Sequence, residues 1–138
     1  MKRHLLDTSL VAAYLQSRKP AVQLIRPLIE RQEVATSILV YAEVTEYIRG
    51  LPNAPKRHRD LRYLLREVYP YFLTYAILEC YADLRRKLRP PYGKGLIGDI
   101  DTLIATTALE RNLTLITADH DFDRVPNLKC QLVNLRAV

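Results

Sequence analysis

The chain has no run approaching the ~20 consecutive apolar residues a bilayer span requires, so no membrane-crossing helix is expected. Its opening residues, MKRHLLDTS, meet a charged Asp7 too early for the apolar stretch of a signal peptide, and a cytoplasmic protein is expected. Cysteine is scarce. Cys80 and Cys130 have neither CxxC spacing nor a histidine cluster beside them, which argues against zinc and against a disulfide and predicts two reduced core side chains. The three histidines, His4, His58 and His120, are scattered, and no serine or cysteine nucleophile has one paired with it; His120 reads as an exposed loop residue. Linkers, internal repeats and low-complexity tracts are missing too. A 138-residue chain that is 49% apolar is expected to form one domain, residues 1–138, with a genuine core.

What is abundant is positive charge. Lys and Arg number 21 against 15 Asp and Glu, a net charge of +6. A basic surface around an acidic pocket suits a polyanion held by its backbone with a metal at the point of chemistry. Charge alone is equally compatible with a solvated surface and no partner.

Short apolar stretches alternate with helical patterns, which predicts an α/β fold with a mostly parallel sheet of about five short strands. Strands are expected at Arg3 to Leu6, Glu33 to Thr36, Tyr71 to Tyr75, Leu113 to Thr117 and within KCQLVNL. Between them, LVAAYLQ and Ala21 to Gln32 read as helices, the second kinked or divided at Pro27. SILVYAEVTEYIRG reads as a helix capped by Ser37, with apolar side chains nearly all round and therefore largely buried. GLPNAPKRHRD is expected as a basic turn before a short helix, LRYLLREVYP, and its charge run as a solvated face rather than a phosphate contact. Ala76 to Arg89 is a further helix with cations in its last turns. RPPYGKG is a loop that brings Lys94 towards the acidic stretch, and the helix from Asp99 ends at Asn112, a residue suited to a left-handed cap.

The acids carry the chemistry. Asp7 follows the first strand, either as a helix cap or at the carboxyl edge of the sheet where ligands bind. Glu43 lies on the expected buried helix with no local partner, whereas Arg49 is placed to pair with Glu46. Asp99 and Asp101 open the late helix, and Asp119 ends the strand after it. Each has a structural excuse: a cap, a first-turn acid, an Asx-turn. Jointly they predict carboxylates from four places in the chain gathered at one end of the sheet, and crowded carboxylates hold protons or a hard cation, here Mg²⁺ or Mn²⁺.

The order LLDTS, AEV on a helix, GDIDTLIATTALE and LTLITADHDFDRVPNL resembles a PIN-domain nuclease of the VapC toxin type, over essentially the whole chain. The resemblance implies a PIN-like three-layer fold and a Mg²⁺- or Mn²⁺-dependent endoribonuclease. In it Asp7, Glu43, Asp101 and Asp119 match the family's four acids, Asp99 is an additional acid that ligates metal or caps the helix, and Thr8 and Thr117 are hydroxyl residues orienting the carboxylates. It further implies a small antitoxin partner and a homodimer. The spacing within DHDF is one residue shorter than in many relatives, which places Asp121 nearby.

Other classes fit less well. A haloacid-dehalogenase-like phosphatase needs its DxD at the end of the first strand, whereas Asp99-Ile-Asp101 opens a late helix with Leu103 at the hydroxyl or valine position. A receiver-like domain needs a phosphoacceptor on a middle strand and a lysine after a late one, and Lys129 begins the last strand instead. A non-catalytic binding module acting through a protein or RNA partner is the remaining alternative.

Overall fold

The structure is a computed structural model and describes residues 1–136. In chain order the elements are β1 (His4–Leu6), α1 (Thr8–Leu15), α2 (Lys19–Glu30), β2 (Val34–Ser37), α3 (Ile38–Arg49), α4 (Ala54–Glu67), β3 (Tyr69–Tyr71), α5 (Tyr75–Leu88), α6 (Asp99–Arg111), β4 (Thr114–Thr117), a 3₁₀ turn (His120–Arg124) and β5 (Cys130–Leu132). The strands form one sheet of order β3-β2-β1-β4-β5, and every pair is parallel. The expected α/β fold is thus observed.

The three inner strands are buried almost throughout, with Leu5 paired to Ala35 on one side and Leu115 on the other. Such strands need apolar residues at successive positions because helices cover both faces. Right-handed crossovers put α1 to α4 over one face, as the chain steps outward from β1 to β3, and α5 and α6 over the other. The direction of stepping reverses between β1 and β4. Such a reversal is where an open α/β sheet places its ligand crevice, at the carboxyl ends of the two strands.

Several local expectations need correction. α3 is not apolar all round: Val40, Val44 and Ile48 form one buried stripe, while Tyr47 is exposed. Its aromatic and alanine positions are tolerated at a surface, so composition overstated its burial. Glu46 is exposed, and no ion pair joins it to Arg49 among the described residues. α4 begins at Ala54, seven residues before the expected start at Leu61, because Asn53 adopts a left-handed conformation and Pro55 occupies a first-turn position where its missing N–H costs nothing. β3 lies at Tyr69–Tyr71 and includes Pro70, which an edge strand tolerates. α2 runs unbroken through Pro27. Neither cysteine is a core residue: both are free thiols, Cys80 half-buried and Cys130 exposed on edge strand β5. Asn112 does take the left-handed cap, at φ 55°. No helix among the described residues is long and apolar enough to cross a membrane.

The connection from α5 to α6 is held tightly. A Cβ on Gly93 would stand 2.1 Å from the Lys87 carbonyl oxygen and 2.7 Å from the Leu88 Cα, both backbone atoms that cannot step aside. Gly93→Ala should therefore lower the unfolding free energy by about 1–3 kcal/mol. Urea denaturation checks this, and an unchanged midpoint would show that the loop relaxes freely.

Candidate active site

The crevice between β1 and β4 collects the acids that follow these strands. Asp7 is 4% exposed. Its Oδ1 accepts from the Ser9 hydroxyl at 2.6 Å and from the Leu10 N–H at 3.2 Å, and its Oδ2 accepts from the Thr117 hydroxyl. The bond from Leu10 makes Asp7 the N-cap of α1. Both readings of Asp7 therefore hold: it caps the helix and it stands at the carboxyl edge of the sheet.

Thr117, the last residue of β4, also accepts from the Asp119 N–H at 3.0 Å. Asp119 caps the 3₁₀ turn by accepting from the Asp121 N–H at 2.8 Å. From α3, Glu43 reaches the first residue of α1 and accepts a hydrogen bond from the Thr8 hydroxyl. Asp101 enters from the first turn of α6, which packs against β4.

Electrostatics binds these residues into one unit. The Asp101 carboxyl is pushed up to about 6, first by burial and then by the negative charges of Glu43, Asp119, Asp7 and Asp121. Burial also raises Asp7 above the usual carboxylate range, with the Asp119 charge adding to it and the bonds from Ser9, Thr117 and Leu10 opposing it. Among the described residues no lysine, arginine or histidine forms an ion pair with Asp7, Glu43, Asp101 or Asp119.

This donor set fits Mg²⁺ or Mn²⁺ in chemistry: all oxygen, anionic, and lacking a cationic partner. It does not form a closed cage. Among the described residues no three acids, histidines or cysteines are grouped tightly enough to hold one ion together. An ion that keeps several of its waters needs only one or two carboxylates directly, so an open set is compatible with it.

A family model described as the PIN domain matches residues 4–128. The chain belongs to the PIN domain family. Chains from solved toxin–antitoxin complexes share this fold. VapBC2 of Rickettsia felis, bound to a DNA fragment from its promoter, superposes with a TM-score of 0.83 at 22% identity, covering 95% of this chain and 98% of the other. VapBC-1 of nontypeable Haemophilus influenzae gives 0.75 at 25% identity over 94% and 96%. DNA-bound VapBC of Salmonella typhimurium gives 0.84 at 14% identity over 95% and 98%. No curated protein matches the chain.

In this PIN domain Asp99 stands apart from the other four acids. It is exposed and receives the Arg85 guanidinium at 2.6 Å and the Tyr81 hydroxyl at 3.0 Å. It is not the helix cap either, since Gly98 holds that position. Its place is a fastening between α5 and α6. His120 is exposed and 3.5 Å from Asp123, as expected of a loop histidine.

Sequence reasoning underrated Ser9. Its hydroxyl donates to Asp7 and accepts from the Ala118 N–H at 3.2 Å, joining the ends of the two central strands. Its spacing two residues after Asp7, on a first helical turn, was the available signal. Arg85 gave none, because its partner lies across a loop.

Thr117→Val should weaken divalent-ion affinity and any metal-dependent activity by about 10–100-fold, since the hydroxyl orients both Asp7 and Asp119. Calorimetric Mn²⁺ titration checks this, and equal affinity in both proteins would reduce Thr117 to a packing residue.

Proposed function

We propose that this PIN domain is a metal-dependent endoribonuclease, a toxin-type enzyme that hydrolyses RNA phosphodiester bonds. The observation that carries the reading is that the charges of Glu43, Asp119 and Asp7 all bear on the half-buried Asp101, while among the described residues no cationic side chain forms an ion pair with these four acids. A protein keeps such a group of like charges for a cation brought in from outside.

Asp7 and Asp101 would be the direct ligands of Mg²⁺ or Mn²⁺, with Glu43 and Asp119 holding it through waters or directly. When bound, the ion supplies an activated water and positive charge facing the phosphate. The protein's own part is positioning. Thr117 and Ser9 hold the Asp7 carboxylate in one orientation, Thr8 does the same for Glu43, and the Asp121 N–H fixes Asp119. Three of the four acids thus arrive pre-ordered, so little reorganisation of Asp7, Glu43 and Asp119 is left for the reaction.

The deciding experiment is incubation of a mixed RNA pool with the purified protein in Mn²⁺ and in EDTA, beside the Asp7→Asn variant. Cleavage that requires Mn²⁺ and is lost in the variant is the expected result. Asp123→Asn serves as a control with near-normal activity, because that carboxylate faces His120 on the surface. Absence of cleavage with a saturable Mn²⁺ site intact would favour the non-catalytic binding module.

Similarity to chains of the VapBC complexes supports an antitoxin partner, and the homodimer is carried over from the family resemblance alone. Purification from the host should bring down a small protein that suppresses cleavage, and recovery of the chain alone would count against it. Sedimentation as a monomer at micromolar concentration would remove the homodimer.

A further inference from the structure

The loop from Arg89 to Leu96 between α5 and α6 is held rigidly yet presents side chains that the fold does not use. Its backbone is fixed at several points. The Tyr92 and Gly93 N–H groups donate to the Arg89 carbonyl at 2.9 and 3.0 Å, and the Gly95 N–H donates to the Leu88 carbonyl at 2.8 Å. Gly93 is pressed against the last turn of α5, and Ile97 is buried just beyond. On this anchored backbone the Tyr92 side chain is 83% exposed, and Lys94 and Arg89 are exposed without an ion pair among the described residues.

The loop is coupled to the acidic crevice from both sides. Arg124, in the 3₁₀ turn that Asp119 caps, donates to the Leu96 carbonyl at 2.9 Å and stands 3.8 Å from Asp121. At its other end the loop runs through Gly98 into the first turn of α6, which carries Asp101. At ~3.5 Å per residue over the seven residues to Asp99, Tyr92 lies within about 25 Å of that turn, the reach of a few nucleotides.

A crevice of four carboxylates repels the phosphates it must receive, so cations beside it are needed to bring a nucleic acid in. An aromatic ring between two free cations on a rigid support matches single-stranded nucleic acid, whose bases stack while its phosphates pair. We propose that this loop grips the RNA substrate next to the cut: Tyr92 stacks on one unpaired base, and Lys94 and Arg89 hold the adjoining phosphates. The assignment rests on the ribonuclease reading for its substrate, and it makes Tyr92 a determinant of which sites are cut.

The test separates binding from cleavage. Fluorescein-labelled single-stranded RNA is titrated with the full chain in EDTA, and anisotropy is read for the wild type, Tyr92→Ala, Tyr92→Phe and Lys94→Ala. Tyr92→Ala should bind about tenfold or more weakly, whereas Tyr92→Phe, which keeps the ring, should stay within about twofold of the wild type. Lys94→Ala should reduce the slope of log affinity against log salt by about 0.7, the value for one phosphate contact on a single strand. Equal binding by wild type and Tyr92→Ala overturns the proposal, as does a wild-type chain that binds no RNA. So does a Tyr92→Ala chain that keeps RNA and loses a protein partner instead. Cleavage with Mn²⁺ is scored independently: a wild type that binds through Tyr92 but never cuts sinks the nuclease reading and leaves the grip standing. A nuclease indifferent to Tyr92 in affinity and cut pattern does the reverse.

Discussion

Asp101→Asn should abolish Mn²⁺-dependent RNA cleavage and, in the same protein, raise the thermal midpoint measured in EDTA at neutral pH. The loss of activity follows from removal of a ligand charge with little change of volume. Substituting the partners of metal ligands costs about 10–100-fold, so the ligand itself should cost at least about 100-fold. The gain in stability follows from linkage. Folding raises the Asp101 carboxyl from 3.8 to about 6, so the folded state binds the proton more tightly than the unfolded chain. This contribution to stability is fully present below 3.8 and is lost as pH rises towards and through about 6. At neutral pH the metal-free protein must hold an ionised Asp101 among other carboxylates, and the neutral amide of the Asp101→Asn variant is spared that repulsion. Asp101 is half-buried, and solvent screening keeps the gain modest. Asp7 is shifted in the same direction. Added Mn²⁺ should raise the midpoint of the wild type at neutral pH and much less at mildly acidic pH. A variant that still cuts RNA, or that melts below the wild type in EDTA, would remove Asp101 from the site.

Phe122→Ala should cost about 3–5 kcal/mol of unfolding free energy. Phe122 is 1% exposed and among the largest fully buried side chains, yet it comes from a short 3₁₀ turn rather than from a helix or strand. Its ring is the anchor that draws the loop after β4 back onto the core. Because Asp119 caps that turn and Arg124 closes it, truncation at Phe122 should also release Asp119 and reduce activity in whatever fraction stays folded. Calorimetry should show a midpoint lower by about 10 °C or more. A change of only a degree or two would mean that the turn is held by its polar bonds alone.

The strand-then-acid pattern was readable because it depends on local facts: short apolar runs, each followed by a carboxylate, separated by helices long enough to cross a parallel sheet. Those facts placed Asp7 and Asp119 at the same edge, and the reversal between β1 and β4 made that edge a crevice. Readability ended where partners are distant in sequence. Nothing near Asp99 announces Arg85 or Tyr81, which reach it only because α5 packs along α6. It ended also where burial depends on which face a neighbour covers. The apolar letters of α3 could not say that only the Val40–Val44–Ile48 stripe meets the core, nor could the apolar surroundings of Cys130 say that β5 is an exposed edge. The early start of α4 was hidden by basic residues and a proline that resemble a turn but are acceptable in a first helical turn.

Asp7 spends one oxygen on Leu10 and Ser9 and the other on Thr117, and it ends β1 as it begins α1. Catalytic competence and folding are therefore not separable properties of this side chain, and the choice of inactivating substitution decides what an inactive protein means. Asparagine keeps an oxygen to cap the helix, so an inert Asp7→Asn chain speaks about charge. Alanine strips the cap and leaves the Thr117 and Ser9 hydroxyls without their acceptor, so an inert Asp7→Ala chain could be silent merely because it is unfolded.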